Sequence, residues 1–310
     1  AAWLGTQLPE NSKGLESIQA SAELAASPSA VDISNFALRV GEETVQGALR
    51  ADLTQVDPFL SGQLVSQGVD VATLLSAAGL TGEGQPSLDG SLIVDLQFAT
   101  VGSNAEQMMS SLNARGTLGL RSGTVSQTGI GLALGEADAD NISNITANIT
   151  INTLDTPIGL VGQADWRNER FEMSGQFGAG QMLVNGMGPT QLAINSNRVS
   201  GGINGTLTQT GDFNGDVTVE TRSLRGLMAW LNQPIGNGGG LGPFSYTGQL
   251  SLGPNAINFE NARILLDGTS GTGNGTVTLS GKPKLNATLN LQQLDLTPYI
   301  SADNSSSPAA

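Results

Sequence analysis

The sequence lacks cysteine and histidine altogether, and only three of its 310 residues are lysine. The absence of cysteine excludes disulfides, and the absence of both residue types excludes thiolate and imidazole zinc sites. A Ser-His-Asp triad and a cysteine nucleophile are excluded for the same reason. The sequence therefore predicts no metal site, no cofactor and no catalytic residues of these classes.

Charged residues are scarce and mostly acidic. They make up 13% of the chain, about half of the usual share, and the net charge is −14. Binding to nucleic acid draws on clustered lysine and arginine, so we expect no nucleic-acid partner. With 38% hydrophobic residues and 42 glycines, the chain is too apolar to be disordered. Its composition fits an exported β-protein better than a cytoplasmic enzyme.

Recognisable targeting segments are missing as well. Residues 1–10 have neither a basic region nor a long apolar stretch, and no window approaches 18 uninterrupted apolar residues. The chain opens on Ala-Ala-Trp-Leu without a methionine. Either the protein is soluble or the chain has lost an N-terminal membrane anchor. The opening without methionine favours the second interpretation, and we treat the chain as a fragment.

Alternation of apolar with polar or small residues is the dominant pattern, and it predicts a mainly β fold with antiparallel strands. Turn glycines recur about every 8 to 12 residues, the spacing of a meandering sheet. The pair Asp267-Gly268 predicts a hairpin, and Gly215-Asp216 is interpreted as a turn that leads into a strand. Strands are predicted over 130–134, 144–152, 206–220, 261–266 and 276–279.

Helices are predicted to be few and short. The clearest apolar stripe with helical spacing lies in 223–231, and shorter ones lie in 104–112 and 69–78. The glycine-rich stretch 237–243 predicts a flexible connector, and the tail 301–310 is predicted to be disordered.

A long internal repeat is the most informative feature of the chain. The segment 21–75 matches 247–300 at an offset of 226 residues, which falls to 225 after one gap. The matching positions are apolar residues and the glycines and prolines of turns, for example Gly47 with Gly273, so the repeat specifies a structural unit. It divides the chain into a first β-unit at 1–76, a middle β-region with short helices at 77–235, a second β-unit at 236–300 and the tail 301–310.

Motifs with possible chemistry are few, and each has a plainer structural interpretation. The stretch 271–275 resembles a phosphate-binding loop without its Lys-Ser/Thr, so a turn or bulge is favoured. The run beginning at Asp138 resembles a calcium loop but lacks the required glycine and final acid. Acid pairs that would suit a glycosidase are interpreted as solvated hairpin tips. These pairs are Glu42 with Glu43 and Glu169 with Glu172, and the aromatic residues Trp166, Trp230, Tyr246 and Tyr299 are too scattered to predict a sugar site.

The remaining feature is one apolar face along many strands. A second layer would close this face into a core, whereas an open face would form a groove able to hold acyl chains. Composition alone favours the closed core. In either case we expect the face of the last unit to be lined by Ile264, Leu266, Val277, Leu279, Leu285, Leu289 and Leu291.

Three motifs in sequence order resemble the C-terminal region of AsmA family proteins. They are LDGTSGTGNGTVTL at 266–279, KPKLNATL at 282–289 and LDLTPY at 294–299. A degraded version precedes them in the first copy, with PFLSGQL at 58–64 and VDVATLL at 69–75. The middle of the chain is similar too, at GQADW (162–166) and SLRGLMAWL (223–231), so the resemblance covers about residues 15 to 300.

The resemblance implies a fold and a role. Such proteins are usually anchored in the inner membrane of Gram-negative bacteria, with most of the chain in the periplasm. They look related to TamB and the chorein-like bridge proteins, whose repeated β-units form an elongated, twisted antiparallel sheet with an apolar groove. The implied role is outer-membrane biogenesis, through phospholipid transport between the two membranes or an influence on outer-membrane protein assembly. No catalytic residues come with the family, so we expect a protein that is not an enzyme. The resemblance reverses the preference for a closed core.

Three other functions stay open at this point. A structural or regulatory scaffold would meet the outer-membrane assembly machinery through its sheet edges without carrying lipid. An extracellular β-solenoid adhesin would suit the composition, but it predicts many repeats of about 20 to 30 residues rather than one long unit. A carbohydrate-active enzyme would require an acid pair in a cleft.

Overall fold

The structure is a computed structural model that describes residues 18–40, 43–77, 82, 86–235, 239–279 and 284–292. The predictions made for the motif 294–299 and for the tail 301–310 lie outside the described residues, as do Glu42 and Tyr299.

Sixteen described strands form one open antiparallel sheet in which the order of strands is their order in the chain. The mainly β, antiparallel fold class predicted from alternation is therefore confirmed. The chain divides into two compact units, 1–188 and 189–310. In the first unit the strands are β1 Ile18–Ala26, β2 Ala30–Val40, β3 Glu43–Asp52, β4 Phe59–Asp70, β5 Ser87–Val101, β6 Asn113–Ser126, β7 Ile142–Ile151, β8 Ile158–Trp166 and β9 Glu169–Phe177. The strand β10, Met187–Asn195, begins at the division, and the second unit continues with β11 Ser200–Thr208, β12 Phe213–Thr221, β13 Phe244–Leu252, β14 Ala256–Leu266, β15 Thr269–Thr278 and β16 Lys284–Leu291.

Short helices occupy some of the connections between strands. The predicted helices at 104–112 and 223–231 are confirmed, each with a side-chain cap: Asn104 Oδ1 accepts from the Gln107 amide at 2.9 Å, and Ser223 Oγ from the Gly226 amide at 3.0 Å. In the segment 69–78 the strand β4 continues through residue 70, so the helix is shorter than predicted. The described helices are α1 Val71–Ala77, α2 Ala105–Ser110, α3 Ile130–Leu134, α4 Ala179–Asn185 and α5 Leu224–Trp230, with a 3-10 turn at Ala137–Asp140.

The strand predicted over 130–134 is wrong, because this segment is helix α3. Two side chains satisfy amides of its first turn: Thr128 Oγ1 accepts from the Ile130 amide at 3.3 Å, and Asp140 Oδ1 accepts from the Gly131 amide at 2.7 Å. Unpaired amides at a helix start are costly to bury, and these acceptors remove that cost. The period-2 pattern of the segment is overridden by these contacts.

Turns confirm one prediction and correct two. Asp267 and Gly268 form the predicted hairpin, with φ of 50° and 82°. Gly215-Asp216 lies inside β12 rather than in a turn, and the preceding turn is made around Gly211, whose φ is 87°. The glycine-rich stretch 271–275 is likewise not a turn: it belongs to β15, and Gly273 and Gly275 flank the position opposite the register shift of β14 between Phe259 and Ala262.

The described part of the predicted flexible connector is held at both sides. Arg225 donates to the carbonyl of Gly239 at 3.0 Å, and Asp267 accepts from the amides of Leu241 and Gly242 at 2.7 Å each. Residues 239–243 are therefore attached to α5 and to the β14–β15 hairpin.

The internal repeat is confirmed at the level of strand bounds and register. The strands β13, β14 and β15 begin and end 226 residues after β1, β2 and β3, and β16 begins 225 residues after β4. Register shifts recur at equivalent places in the two copies, between 21 and 23 and between 247 and 249, and again between 33 and 36 and between 259 and 262. Asn35 and Asn261 occupy the second shift with φ of 50° and 52°. The two copies therefore fold in the same way.

Packing in each unit joins mainly elements that are consecutive in the chain. In the second unit, extensive contacts between described elements link successive strands from β11 to β16. In the first unit they link successive strands from β1 to β9, and they also join α1 and α2 to the sheet and α2 to α4. Only eight apolar residues are buried among the described ones. No second sheet therefore covers the first within the part of each unit that the structure describes.

Candidate functional site: the apolar face

Six of the seven residues predicted to line a groove or core share one face of the second unit. Cross-strand partners in a sheet point to the same side. On β14, β15 and β16 this face is defined by four cross-strand pairs: Ile264 with Gly271, Gly271 with Leu291, Gly273 with Leu289, and Val277 with Leu285. Leu266 lies two positions after Ile264 and therefore points to the same side.

The seventh residue, Leu279, follows the end of β15. Its amide donates to the carbonyl of Asn255 at 2.8 Å. The side chain is 38% exposed. It is therefore not part of the paired rows that form the face.

The same face extends over the neighbouring strands of the second unit. Phe213 and Ala262 are buried, the leucines of β16 are exposed, and the others are half-buried. Its further apolar members are Ile203 and Leu207 of β11, Phe213, Val217 and Val219 of β12, Phe244, Tyr246, Leu250 and Leu252 of β13, and Ile257, Phe259 and Ala262 of β14. We call this surface the apolar face of the second unit.

Glycines on this face make room for large neighbours. A β-carbon built on Gly271 would lie 2.6 Å from Leu291 Cδ2, and one built on Gly248 would lie 2.7 Å from the Tyr246 hydroxyl. The missing side chains leave space for Leu291 over the neighbouring strand β15 and for Tyr246 over its own strand β13. Glycine is therefore part of the surface itself and is not confined to turns.

Tyr246 is the polar exception on this face. Its ring meets that of Phe259 edge to face, with centroids 6.1 Å apart. The hydroxyl is buried and has no hydrogen-bond partner among the described residues. Burial raises the pKa of this phenol above its ordinary value.

The first unit has an equivalent apolar face. The register places Ile33, Leu49, Gly62 and Phe98 in one row across β2 to β5. Further along, Leu118, Ile149 and Leu160 form another row across β6, β7 and β8. At β1 the face is open, since Leu24 is 70% exposed.

The opposite face of the first unit is polar and carries ion pairs. Arg50 and Asp32 lie 3.2 Å apart across β2 and β3, and Arg170 Nε and Asp165 Oδ1 lie 2.9 Å apart across β8 and β9. The hydrogen bond from Arg170, together with one from Asn144, lowers the pKa of Asp165. Both pairs are solvent-exposed, so they contribute little to stability.

The chemical character of the two faces determines which ligands the sheet can bind. One side offers aliphatic and aromatic area that is only half-buried, and the other offers hydroxyls, amides and a few charges. Such a surface binds apolar chains through area removed from water rather than through directed bonds.

The acidic residues of the two pairs lie in different surroundings, and Glu42 is outside the described residues. Glu169 is 8% exposed and lies opposite Trp166 at the β8–β9 hairpin, so the interpretation as a solvated tip is wrong for this residue. Glu43 is half-buried with one buried carboxylate oxygen, which also corrects its assignment as a solvated tip. Glu172 is exposed as expected.

Asp140 of the calcium-like run and the two tryptophans Trp166 and Trp230 make structural contacts. Asp140 caps α3, and no group of acidic residues suited to a metal occurs in the described ranges. Trp166 Nε1 donates to the Ala139 carbonyl at 2.8 Å, and Trp230 lies under the Arg198 guanidinium at 5.5 Å. These contacts hold loops and helix ends against the sheet.

Sequence analysis missed the larger part of the apolar face. Phe213, Phe244 and Leu250 belong to it, yet the residues named from the sequence as lining a groove or core begin only at Ile264. A usable signal was present, because 213–221 and 244–252 alternate apolar with polar residues. The intervening glycines hid the alternation.

None of the helices in the described part of the chain has the length and apolarity needed to cross a membrane. Comparison with known protein families, with curated proteins and with solved structures finds no match for this chain.

Proposed function

We propose that this chain is a non-enzymatic, lipid-carrying module whose apolar faces hold phospholipid acyl chains. The observation that carries the proposal is the half-exposed apolar face in each unit. In a closed core these side chains would be buried, whereas most of those on the face are half-buried and those of β16 are exposed.

The energetics favour acyl chains as the ligand. Each methylene removed from water contributes about 0.8 kcal/mol of binding free energy. An acyl chain that lies across several strands therefore offsets the cost of its removal from a bilayer. The rows of leucine, isoleucine and phenylalanine offer many similar positions, and a ligand therefore moves between them at little cost. Headgroups would stay in water, which agrees with the scarcity of lysine and arginine.

The cellular setting of the proposal follows from the resemblance to AsmA family proteins. We infer a periplasmic location in a Gram-negative bacterium, attachment to the inner membrane in the full-length protein, and a role in outer-membrane biogenesis through phospholipid transport. The open sheet with repeated β-units supports this inference.

The test is native mass spectrometry of the purified chain, followed by lipid extraction from the same sample. We expect phospholipid to co-purify at near one molecule per chain. A variant with Leu24→Asp and Leu285→Asp places charges on the apolar faces, where the two leucines are 70% and 67% exposed. It is expected to lose most of this lipid, because a carboxylate in contact with an acyl chain is costly.

A matched control carries Val161→Asp and Leu265→Asp. These residues are 62% and 45% exposed but lie on the opposite, polar faces. The control is expected to retain lipid. Equal retention by both double variants, or a lipid-free wild-type chain that also ignores liposomes, would contradict the proposal.

A further inference from the structure

The strand β16 has an exposed edge in the described structure. It is hydrogen-bonded to β15, and no other described strand pairs with it. Its apolar side chains are unusually open, since Leu285, Leu289 and Leu291 are 67%, 49% and 38% exposed. An edge of this kind presents backbone amides and carbonyls that another strand can use.

The internal repeat indicates what kind of neighbour this strand type accepts. The counterpart of β16 in the first copy is β4, and β4 is covered on that side by β5. Leu60 and Leu64, the counterparts of Leu285 and Leu289, lie opposite Thr100 and Leu96 of β5 and are half-buried. The same strand type is therefore covered in the first copy, whereas no described residue covers it in the second.

The edge of β16 also lacks the usual protection against pairing. Its register with β15 is uninterrupted, and residues 284–291 contain no proline and one charge, Lys284. The edge strand β1 differs, because it carries a register shift and the charged residue Glu23. None of the polar residues of β16 is acidic, so an incoming strand would not bury an unpaired carboxylate of this strand.

One substitution between the copies defines the chemistry of the incoming strand. Where β4 has Gly62, β16 has Ala287. A β-carbon on Gly62 would lie 2.8 Å from Phe98 Cζ of β5. A phenylalanine at the corresponding place on β16 would therefore crowd Ala287, and a smaller side chain fits there.

From these observations we propose that the outer edge of β16 binds an antiparallel β-strand of a partner protein, in the register that β5 has on β4. The partner strand has apolar residues at alternate positions and a small one opposite Ala287. Backbone hydrogen bonds supply affinity, and the alternate apolar side chains supply specificity. This proposal does not depend on lipid binding.

The probe is a labelled synthetic peptide with the sequence of residues 87–101, together with a version carrying Phe98→Ala. Binding to the full chain is measured by fluorescence anisotropy without lipid. The Phe98→Ala peptide is expected to bind several-fold more tightly than the unaltered one. Ala287→Gly in the chain is expected to remove this preference, since it restores the space that β4 provides.

Two further variants keep the test specific. Leu289→Asp is expected to weaken both peptides at least tenfold, whereas Leu265→Asp, similarly exposed but on the polar face, leaves both unchanged. Hydrogen exchange is expected to show new protection of β16 amides when peptide is bound.

Several results would overturn the proposal. One is β16 amides that are already protected in the free chain as strongly as those of β4, which would mean that the edge is occupied. Another is a peptide preference that Ala287→Gly does not change. Concentration-dependent self-association that Leu289→Asp abolishes would assign the edge to a second copy of this chain instead of a partner protein.

Discussion

At the scale of single residues, Tyr246 is the clearest destabilising feature of the apolar face. Its buried hydroxyl has no partner among the described residues. Tyr246→Phe removes the unsatisfied group and keeps the edge-to-face contact with Phe259. We expect the variant to be more stable by about 1 kcal/mol in urea unfolding. A loss of stability would show that the hydroxyl is hydrogen-bonded in solution.

The pH dependence provides a second measurement on the same residue. Burial raises the pKa of Tyr246, so the unfolded phenol ionises at a lower pH than the folded one. The contribution of Tyr246 to the free energy of unfolding is therefore at its maximum below pH 10, the ordinary pKa of tyrosine. It falls as the pH rises beyond this value. The Tyr246→Phe variant is expected to show a smaller loss over this range. Identical pH profiles would contradict the assignment.

Single residues also show which features of the fold could not be predicted from the sequence. Alternation identified Ile145 and Ile149 in a strand, because every second residue of β7 from Ile145 to Ile151 faces the apolar side. The same alternation failed over 130–134, because acceptors from Thr128 and Asp140 determine that segment. Contacts of this kind join residues up to nine positions apart and leave no periodic signal.

At the scale of strands, the glycines inside the sheet are required by packing. A β-carbon on Gly47 of β3 would overlap the carbonyl oxygen of Gln63 on β4, and the equivalent Gly273 would overlap that of Thr288. Gly47→Ala therefore has to separate two paired strands. We expect it to cost about 1 to 3 kcal/mol in chemical unfolding.

Gly159 of β8 is the matched control for this substitution. The nearest atom to a β-carbon there is the Thr150 carbonyl oxygen at 4.0 Å, and its φ is not positive. Gly159→Ala is expected to be neutral or to stabilise by about 0.5 kcal/mol, because alanine restricts the unfolded chain. Equal losses at both positions would refute the packing argument.

The repeat could be predicted from the sequence because it consists of apolar spacing and turn residues. Gly47 and Gly273 were matched as turn formers, however, and both lie inside strands. The register shifts at Asn35 and Asn261 were not foreseen, since asparagine with positive φ has no signature beyond its identity. An apolar face was predicted along many strands, but its residues were named only from Ile264 onward, and the remaining members became visible only from strand register.

At the scale of a whole unit, stability is expected to be local. In the first unit extensive contacts join mainly elements that are consecutive in the chain, so each strand depends on its immediate neighbours. Gly47→Ala is therefore expected to speed hydrogen exchange in β2, β3 and β4 while β7 to β9 of the same unit keep wild-type protection. Uniform acceleration across the unit would indicate a single cooperative core.

The pairing order within a unit limits how that unit can change in length. In the second unit each strand from β12 to β16 pairs antiparallel with the strand before it. Loss of one internal strand would make neighbours of two strands that run in the same direction, and a tight hairpin cannot join such a pair. Loss or gain of two successive strands keeps the alternation. A unit of this kind can therefore be lengthened or shortened by pairs of strands while its hairpin connections remain short.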